Sequence, residues 1–306
     1  MVYLSFFLIS ISSIIILFSV FKCFKLNKNF QLFKDYDDNL FIIISKINLQ
    51  VLILFLIFYI IFDLLIFLNL KIPNILFISF ILFFASIFIF INTQIQVKMN
   101  STVNKSHFET IRCLVNSVEA RDLYTKGHSE HVANLVSTIY RHLPKAYKKD
   151  LNITTLKTAG LLHDIGKIGV PENILNKNAA LNESEWKCIK DHPLTGKKIL
   201  CSSDHLILVS EWIYHHHERI DGDGYYKVKN ENIPLASKIL AIADTYSALV
   251  TVRPYRDAMT HNQAIEILKS VAGTQLDSYL VGIFCYINKK EITACNPYVQ
   301  LIENII

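Results

Sequence analysis

LLHDIGKIGVPENIL, Leu161 to Leu175, is the stretch on which the reading of this chain turns. At its centre His163 and Asp164 stand side by side. A neutral imidazole and a carboxylate can each donate to a metal ion, and a carboxylate has two oxygens with which to bridge two ions. Ligands this close in sequence do not close a site alone, so partners must come from elsewhere. The chain offers His128 in GHSEH, His192 in DHP, His216 and His217 in HHHERIDGDGYY, and Asp244 in AIADTYSAL. Seven donors of suitable chemistry, spread over five helix-like segments, suggest a two-metal hydrolytic centre.

The segments around these donors have helical periodicity. Phe108, Ile111, Leu114, Val115 and Val118 precede the first histidine at helical spacing, and Val132, Leu135, Val136 and Ile139 follow it on one face. Ile153 to His163 forms a third pattern, and Pro171 ends that helix or falls in the loop just after it. Further helices are expected over Glu183–Ile189, Thr195–Leu200, Leu206–His217, Ala236–Leu249 and His261–Ala272. No strand-like alternation of useful length occurs, so the expected class is all-α.

The chain is 306 residues long and 52% hydrophobic, with a mean hydropathy of +0.33. That is too apolar for an ordinary soluble domain, and the excess lies in the first ninety or so residues, which hold no Glu or Arg. Val2 to Phe21 is an uncharged run long enough to span a bilayer as a helix. A cleaved signal peptide fits less well, because a basic start and a small-residue cleavage site are both missing. Second and third spans lie within Ile47–Leu70 and Ile72–Ile91. The polar loop from Lys22 to Asn39 carries Lys22, Lys25, Lys28 and Lys34, whereas the short second connection holds only Lys71. The positive-inside rule places the four-lysine loop in the cytoplasm, the start of the chain outside and everything after Asn92 inside. Asp63 within the second span reads as a snorkelling or interhelix hydrogen-bonding group. The expected organisation is a three-span region over residues 1–92, a polar linker over 93–105 and a helical domain over 106–306.

A net charge of +5, with no Lys/Arg-rich run interleaved with aromatics, argues against a nucleic-acid polymer as partner. The six cysteines form no C-x-x-C pair and no zinc-ribbon spacing, as expected of free thiols in a reducing compartment.

HDIGKIGVPENILNK, HHHERIDGDGYY, ILAIADTYSAL and RPYR, with VEARDLYTKGHSEHV before them and AGTQLDSYLV after, resemble an HD-GYP domain from about Phe108 to Phe284. The resemblance implies a bundle of helices around a metal centre, behind the N-terminal transmembrane helices. The implied activity is metal-dependent hydrolysis of cyclic di-GMP, to the linear dinucleotide or GMP, in membrane-linked signalling. Two divalent ions, iron or manganese, are the implied cofactors, and a homodimer is among the assemblies left open. Position by position, His128, His163, Asp164, His192, His216, His217 and Asp244 match the metal ligands, with Asp164 bridging. Lys167, three residues after Asp164, matches the active-site lysine that holds a phosphate oxygen or the leaving group. Arg253 and Arg256 match residues that hold the substrate phosphates, and Tyr225 matches the motif tyrosine of the substrate pocket. The chemistry agrees: two metals roughly 3.5–4 Å apart lower the pKa of a shared water and clamp phosphoryl oxygens. An arginine can grip a phosphate with two parallel bonds where lysine cannot.

Four positions depart from the pattern or add to it. Tyr226 replaces the proline of the motif, which bears on loop conformation and partner docking. Ser247 stands where an aspartate is usual, three residues after Asp244, which bears on rate. Tyr124 stands where some members have a third-metal glutamate, and a phenol is a poor ligand at neutral pH, so two metals are expected. His215 is an extra imidazole, expected beside the site or at the surface. Alternative readings are hydrolysis of another cyclic nucleotide or dinucleotide, or a degenerate domain that binds cyclic di-GMP without cleaving it.

Overall fold

A computed structural model describes residues 2–31, 39–68, 75–122, 127–251 and 257–297. Among them the chain is helical throughout, the only β pairing being an isolated bridge between Ala272 and Leu276. Two compact units are present, Met1–Phe108 and Glu109–Ile306.

The first unit contains α1 (Val2–Gln31), α2 (Asn39–Phe67) and the first part of α3 (Ile75–Glu119). Three stretches, Tyr3–Lys25, Leu49–Phe67 and the apolar part of α3, are long and apolar enough to cross a membrane. Ile9, Ile16, Tyr59, Phe62 and Ile66 form the buried cluster of this unit. Ser5, Ser12 and Ser19 recur every seven residues and are fully buried, so small side chains let neighbouring helices approach closely. The Ser12 hydroxyl returns to the carbonyl of Leu8, which satisfies it inside an apolar helix. Asp63 accepts a hydrogen bond from the Ser10 hydroxyl at 2.9 Å, the interhelix role expected of it.

Two stretches expected as polar loop or linker are helical. α1 runs on through Lys22 and Lys25 to Gln31, and α3 passes without a break through 93–105. Neither stretch contains Gly or Pro, and Lys, Gln and Met are good helix formers, so polarity alone does not end the helix.

The second unit holds α4 (His128–His142), α5 (Lys145–Lys148), α6 (Ile153–Leu162), α7 (Glu172–Leu175), α8 (Glu183–Lys190), α9 (His192–Leu200), α10 (Ile207–Tyr214), α11 (Leu235–Val250), α12 (His261–Ser270), α13 (Ser278–Tyr286) and α14 (Lys289–Thr293). A 3-10 turn, Ile165–Gly169, follows α6. α4 packs on α6 and α11, and α10 packs on α6, α9 and α11. The face expected of α4, Val132, Leu135, Val136 and Ile139, is wholly buried, and Ile239, Leu240, Ile242 and Ala243 of α11 meet the same core. In the last turns of α3, Val115 and Val118 are buried but Leu114 is exposed. Helix starts are capped by side chains: Asn152 for α6, Asn182 with Glu185 as a capping box for α8, and Thr260 with Gln263 for α12.

Gly166 decides how closely the 3-10 turn can approach α9. A Cβ there would lie 1.9 Å from the His192 carbonyl oxygen and 2.5 Å from the Gly196 nitrogen. Only a residue without Cβ permits that contact, and the contact brings the first residue of α9 beside Asp164.

Candidate metal centre

The expected ligands sit at helix ends, where backbone geometry aims them inward. His128 begins α4, His163 and Asp164 follow the last residue of α6, His192 begins α9, and His216 and His217 follow α10. Asp244 alone lies in mid-helix, on α11. His192, His216 and His217 form one close group, His128, His163 and Asp164 a second, and His163, His216 and Asp244 a third that joins them. Within each group the donor atoms lie within 4.8 Å of one another. All seven residues are brought together.

Three of the histidines share one local device. The Nδ1 atoms of His163, His192 and His216 lie 2.8, 2.8 and 2.5 Å from the carbonyl oxygens of Gly160, Ile189 and Ile213, each three residues earlier. The proton therefore sits on Nδ1, which donates, and the Nε2 lone pair points into the cluster. Those three Nε2 atoms are buried and have no hydrogen-bond partner. Buried polar atoms without partners are costly, and three of them converging beside two carboxylates fit divalent cations.

The carboxylates thread between the rings. Asp164 places Oδ1 3.3 Å from His192 Nε2 and Oδ2 3.4 Å from His163 Nε2, so its two oxygens face different imidazoles. Asp244 Oδ1 lies 3.1 Å from His128 Nε2 and 3.9 Å from His163 Nε2. Lys167 Nζ lies 2.7 Å from Asp164 Oδ2. The two residues are three apart in a turn where i and i+3 eclipse, which sets that contact.

Protonation states follow from burial and charge. Burial pulls His192 and His216 below the usual histidine range and takes His217 down to about 3, so these rings are neutral and able to donate. Burial would raise Asp164, but the Lys167 ammonium beside it opposes this, and the carboxyl is held well below its usual range. Burial would likewise lower Lys167, yet Asp164 and Asp122 hold it charged. Tyr225 is pushed up to about 12 by burial and keeps its phenolic proton.

The remaining expected residues separate clearly. Tyr225 packs at a tilt against His217, with ring centroids 4.6 Å apart. His215 bonds the Glu211 carbonyl through Nδ1 and stands outside the three groups. Arg253, Arg256 and Tyr124 lie outside the described residues. Tyr226 donates its hydroxyl proton to the Lys190 carbonyl and accepts from the Leu194 N–H, so it ties its loop to α8 and α9. Ser247 is fully buried between His128 and His131, its Oγ 2.9 Å from each Nδ1.

Several supporting residues were not foreseen. Asp122, nearly buried, lies 3.5 Å from Lys167. Glu119 accepts from the N–H groups of Gly127 and Ser129 and so anchors the start of α4, where a negative charge is favoured. Arg121 donates to the carbonyls of Ile168 and Val170 and fixes the far side of the 3-10 turn. Buried Glu218 accepts from the N–H groups of Tyr226 and Val228 and shapes the loop that presents Tyr225. A Cβ on Gly224 would come within 2.6 Å of the Glu218 Cα, so that loop also needs a glycine. The motif VEARDLYTKGHSEHV holds the first three of these, but nothing local marks their partners.

The chain is also similar to known proteins. The chain is 39% identical over 175 residues to the 3'3'-cGAMP-specific phosphodiesterase 1 of Vibrio cholerae, covering 56% of this chain and 39% of the relative. It is 35% identical over 189 residues to a cyclic di-GMP phosphodiesterase of Thermotoga maritima, covering 61% of this chain and 50% of the relative. It is 33% identical over 187 residues to the cyclic di-GMP phosphodiesterase response regulator RpfG of Xanthomonas campestris, covering 60% and 48% respectively. The chain thus spans half or less of the length of these relatives. The family model described as the HD domain matches residues 112–280, the stretch that contributes every residue of the three donor groups, and the chain belongs to the HD domain family.

Proposed function

We propose that this chain is a membrane-anchored phosphodiesterase that hydrolyses cyclic di-GMP to the linear dinucleotide or GMP. The observation that carries the reading is the convergence of His128, His163, Asp164, His192, His216, His217 and Asp244 with three buried, unpartnered Nε2 atoms. Two divalent cations, iron or manganese, fit this donor set and would supply an acidified water and a clamp on phosphoryl oxygens. Asp164 spans the two halves of the cluster, and its loss leaves the halves without a shared anion. Lys167, held charged between Asp164 and Asp122, neutralises the negative charge that grows on the phosphoryl or leaving oxygen. Tyr225 borders the substrate pocket, and Arg253 and Arg256 hold the phosphates by resemblance of sequence.

The domain layout follows the sequence: a three-span region over 1–92, a connection over 93–105 and the hydrolase over 106–306, with the hydrolase in the cytoplasm. The names of the relatives support a second substrate, 3'3'-cGAMP, beside cyclic di-GMP. Retention of all seven donors argues against a domain that only binds.

The test uses the full chain in detergent, loaded with Fe(II) or Mn(II), and follows products of cyclic di-GMP, 3'3'-cGAMP and cyclic di-AMP by chromatography. Cleavage of a guanine-containing substrate is expected, together with loss of both activity and metal in Asp164→Ala. No cleavage of any of the three by metal-loaded protein would reject the reading.

A further inference from the structure

We propose that one face of α8, together with Tyr225, is the subsite for a guanine nucleotide, one half of the substrate. This rests on the phosphodiesterase reading above and specifies where the base is held.

α8 presents Glu183, Trp186, Lys187 and Lys190 at i, i+3, i+4 and i+7, a single stripe of the helix. In a surface helix that spacing ordinarily carries the apolar side turned to the core. Here no residue of α8 is buried, and among the described residues the stripe and Tyr225 line a cavity of about 610 Å³. Small-molecule sites run from roughly 300 to 1,000 Å³. Trp186 is 47% exposed and borders this space. Tyr225 joins the cavity to the donor cluster, since its ring also packs against His217 and His192. Lys190 Nζ lies 6.0 Å from the Trp186 ring and 5.6 Å from the Tyr225 ring, an ammonium between two aromatic faces. The bond from the Tyr226 hydroxyl to the Lys190 carbonyl ties the loop to the helix and keeps the two walls in register.

Among the described residues the lining thus offers two aromatic faces, two ammonium groups and one carboxylate. A ligand that uses all of them has a flat ring, an anion and an edge of hydrogen-bond donors. A guanine nucleotide has these three parts. Its purine stacks on the indole, which is the sequence-tolerant part of the binding. Its phosphate meets Lys187 or Lys190. Its N1–H and exocyclic N2–H point the same way and match the two oxygens of Glu183. Adenine instead turns a ring-nitrogen lone pair toward a carboxylate, so Glu183 selects against it.

The chain has two tryptophans, and Trp212 is buried, so Trp186 is a built-in reporter. The full chain in detergent, stripped of metal with a chelator, is titrated with GMP, AMP and inorganic phosphate while indole fluorescence is followed. GMP should quench saturably, AMP at concentrations about tenfold higher or more, and phosphate not at all. Trp186→Phe should abolish the quench, and Glu183→Gln should narrow the preference for GMP over AMP. In the metal-loaded protein Trp186→Ala should raise KM by about 5- to 100-fold, with Trp212 emission reporting that the fold is intact. Absent quenching by GMP, or equal quenching by AMP or phosphate, would overturn the subsite. Cleavage of cyclic di-GMP with an unchanged KM in Trp186→Ala would overturn it too while leaving the phosphodiesterase reading in place. Guanine-selective quenching without any cleavage would support the subsite and reject that reading.

Discussion

Replacing Ser247 with alanine should weaken both the fold and its grip on metal. Ser247 lies on α11, one turn from Asp244, so both side chains face α4. Its hydroxyl touches Nδ1 of His128 and Nδ1 of His131, at 2.9 Å each. A hydroxyl has a single proton, so it donates to one ring and accepts from the other. His128 turns Nε2 toward Asp244 and the donor cluster, and an imidazole that ligates through Nε2 keeps its proton on Nδ1. His128 therefore donates to Ser247, and Ser247 donates to His131. Alanine strands two buried ring nitrogens. Each unsatisfied group costs about 1–3 kcal/mol, roughly 2–6 in all, which corresponds to a fall in Tm of roughly 5–20 °C for a unit of this size. Loss of a partner that orients a metal-binding histidine costs about 10- to 100-fold in metal affinity. Thermal unfolding of the metal-free full chain and a competition titration with a chelator measure the two effects. Ser247→Asp should behave differently. Its carboxylate can accept from the Nδ1–H of His128 and, once His131 shifts its proton to Nδ1, from that ring as well, so metal binding persists and turnover is unchanged or raised, while overpacking in an enclosed site lowers stability by about 1–3 kcal/mol. Wild-type Tm and wild-type metal affinity in Ser247→Ala would refute this account of the pair.

Gly166→Ala should push α9 away from the 3-10 turn, because the new Cβ would sit 1.9 Å from the His192 carbonyl; elemental analysis should show less metal per chain, and an unchanged metal content with an unchanged Tm would contradict the close packing. Acid should destabilise the metal-free protein through His131, which burial and then His128 take down from 6.5 to about 4. Because the folded value lies below the ordinary one, its contribution is complete above pH 6.5 and is lost as the pH falls toward 4, at about 1.4 kcal/mol per unit. Burial of His192, His216 and His217 acts in the same direction, so His131→Asn should make the fall of Tm with acid shallower without abolishing it; parallel curves would sink the assignment. Reporter fusions at Asn39 and just after Asn92 should report cytoplasm and one at Lys71 the exterior, whereas a cytoplasmic signal at Lys71 would contradict three spans.

The sequence by itself determined the parts whose physics is local. The 3.6-residue period of Val132, Leu135, Val136 and Ile139 and the absence of alternating stretches sufficed for an all-α domain. Apolar runs of about twenty residues sufficed for three membrane-crossing candidates. The donor types sufficed to single out seven candidate ligands, since few residue types besides His and Asp bind hard or borderline cations, and these seven do converge. Helix ends were less legible. His163, Asp164, His216 and His217 were expected inside helices but lie just beyond them, where the rings of His163 and His216 bond the carbonyl three residues back. Charge and polarity also misled at Lys22–Gln31 and 93–105, because what ends a helix is Gly, Pro or a competing cap, and these stretches hold no Gly or Pro.

Only the tertiary structure decided which distant groups complete the centre. Ser247 and His131 are 116 residues apart, and Lys167 and Asp122 are 45 apart. No periodicity links residues at such separations; they meet because α4, α6 and α11 bury their apolar faces on one another. Glu218 and Gly224 form their loop in the same way, through backbone N–H groups that leave no mark in a side-chain pattern. A ligand is recognisable by its own chemistry, but the group that orients it is chosen by packing, and packing is a property of the folded chain.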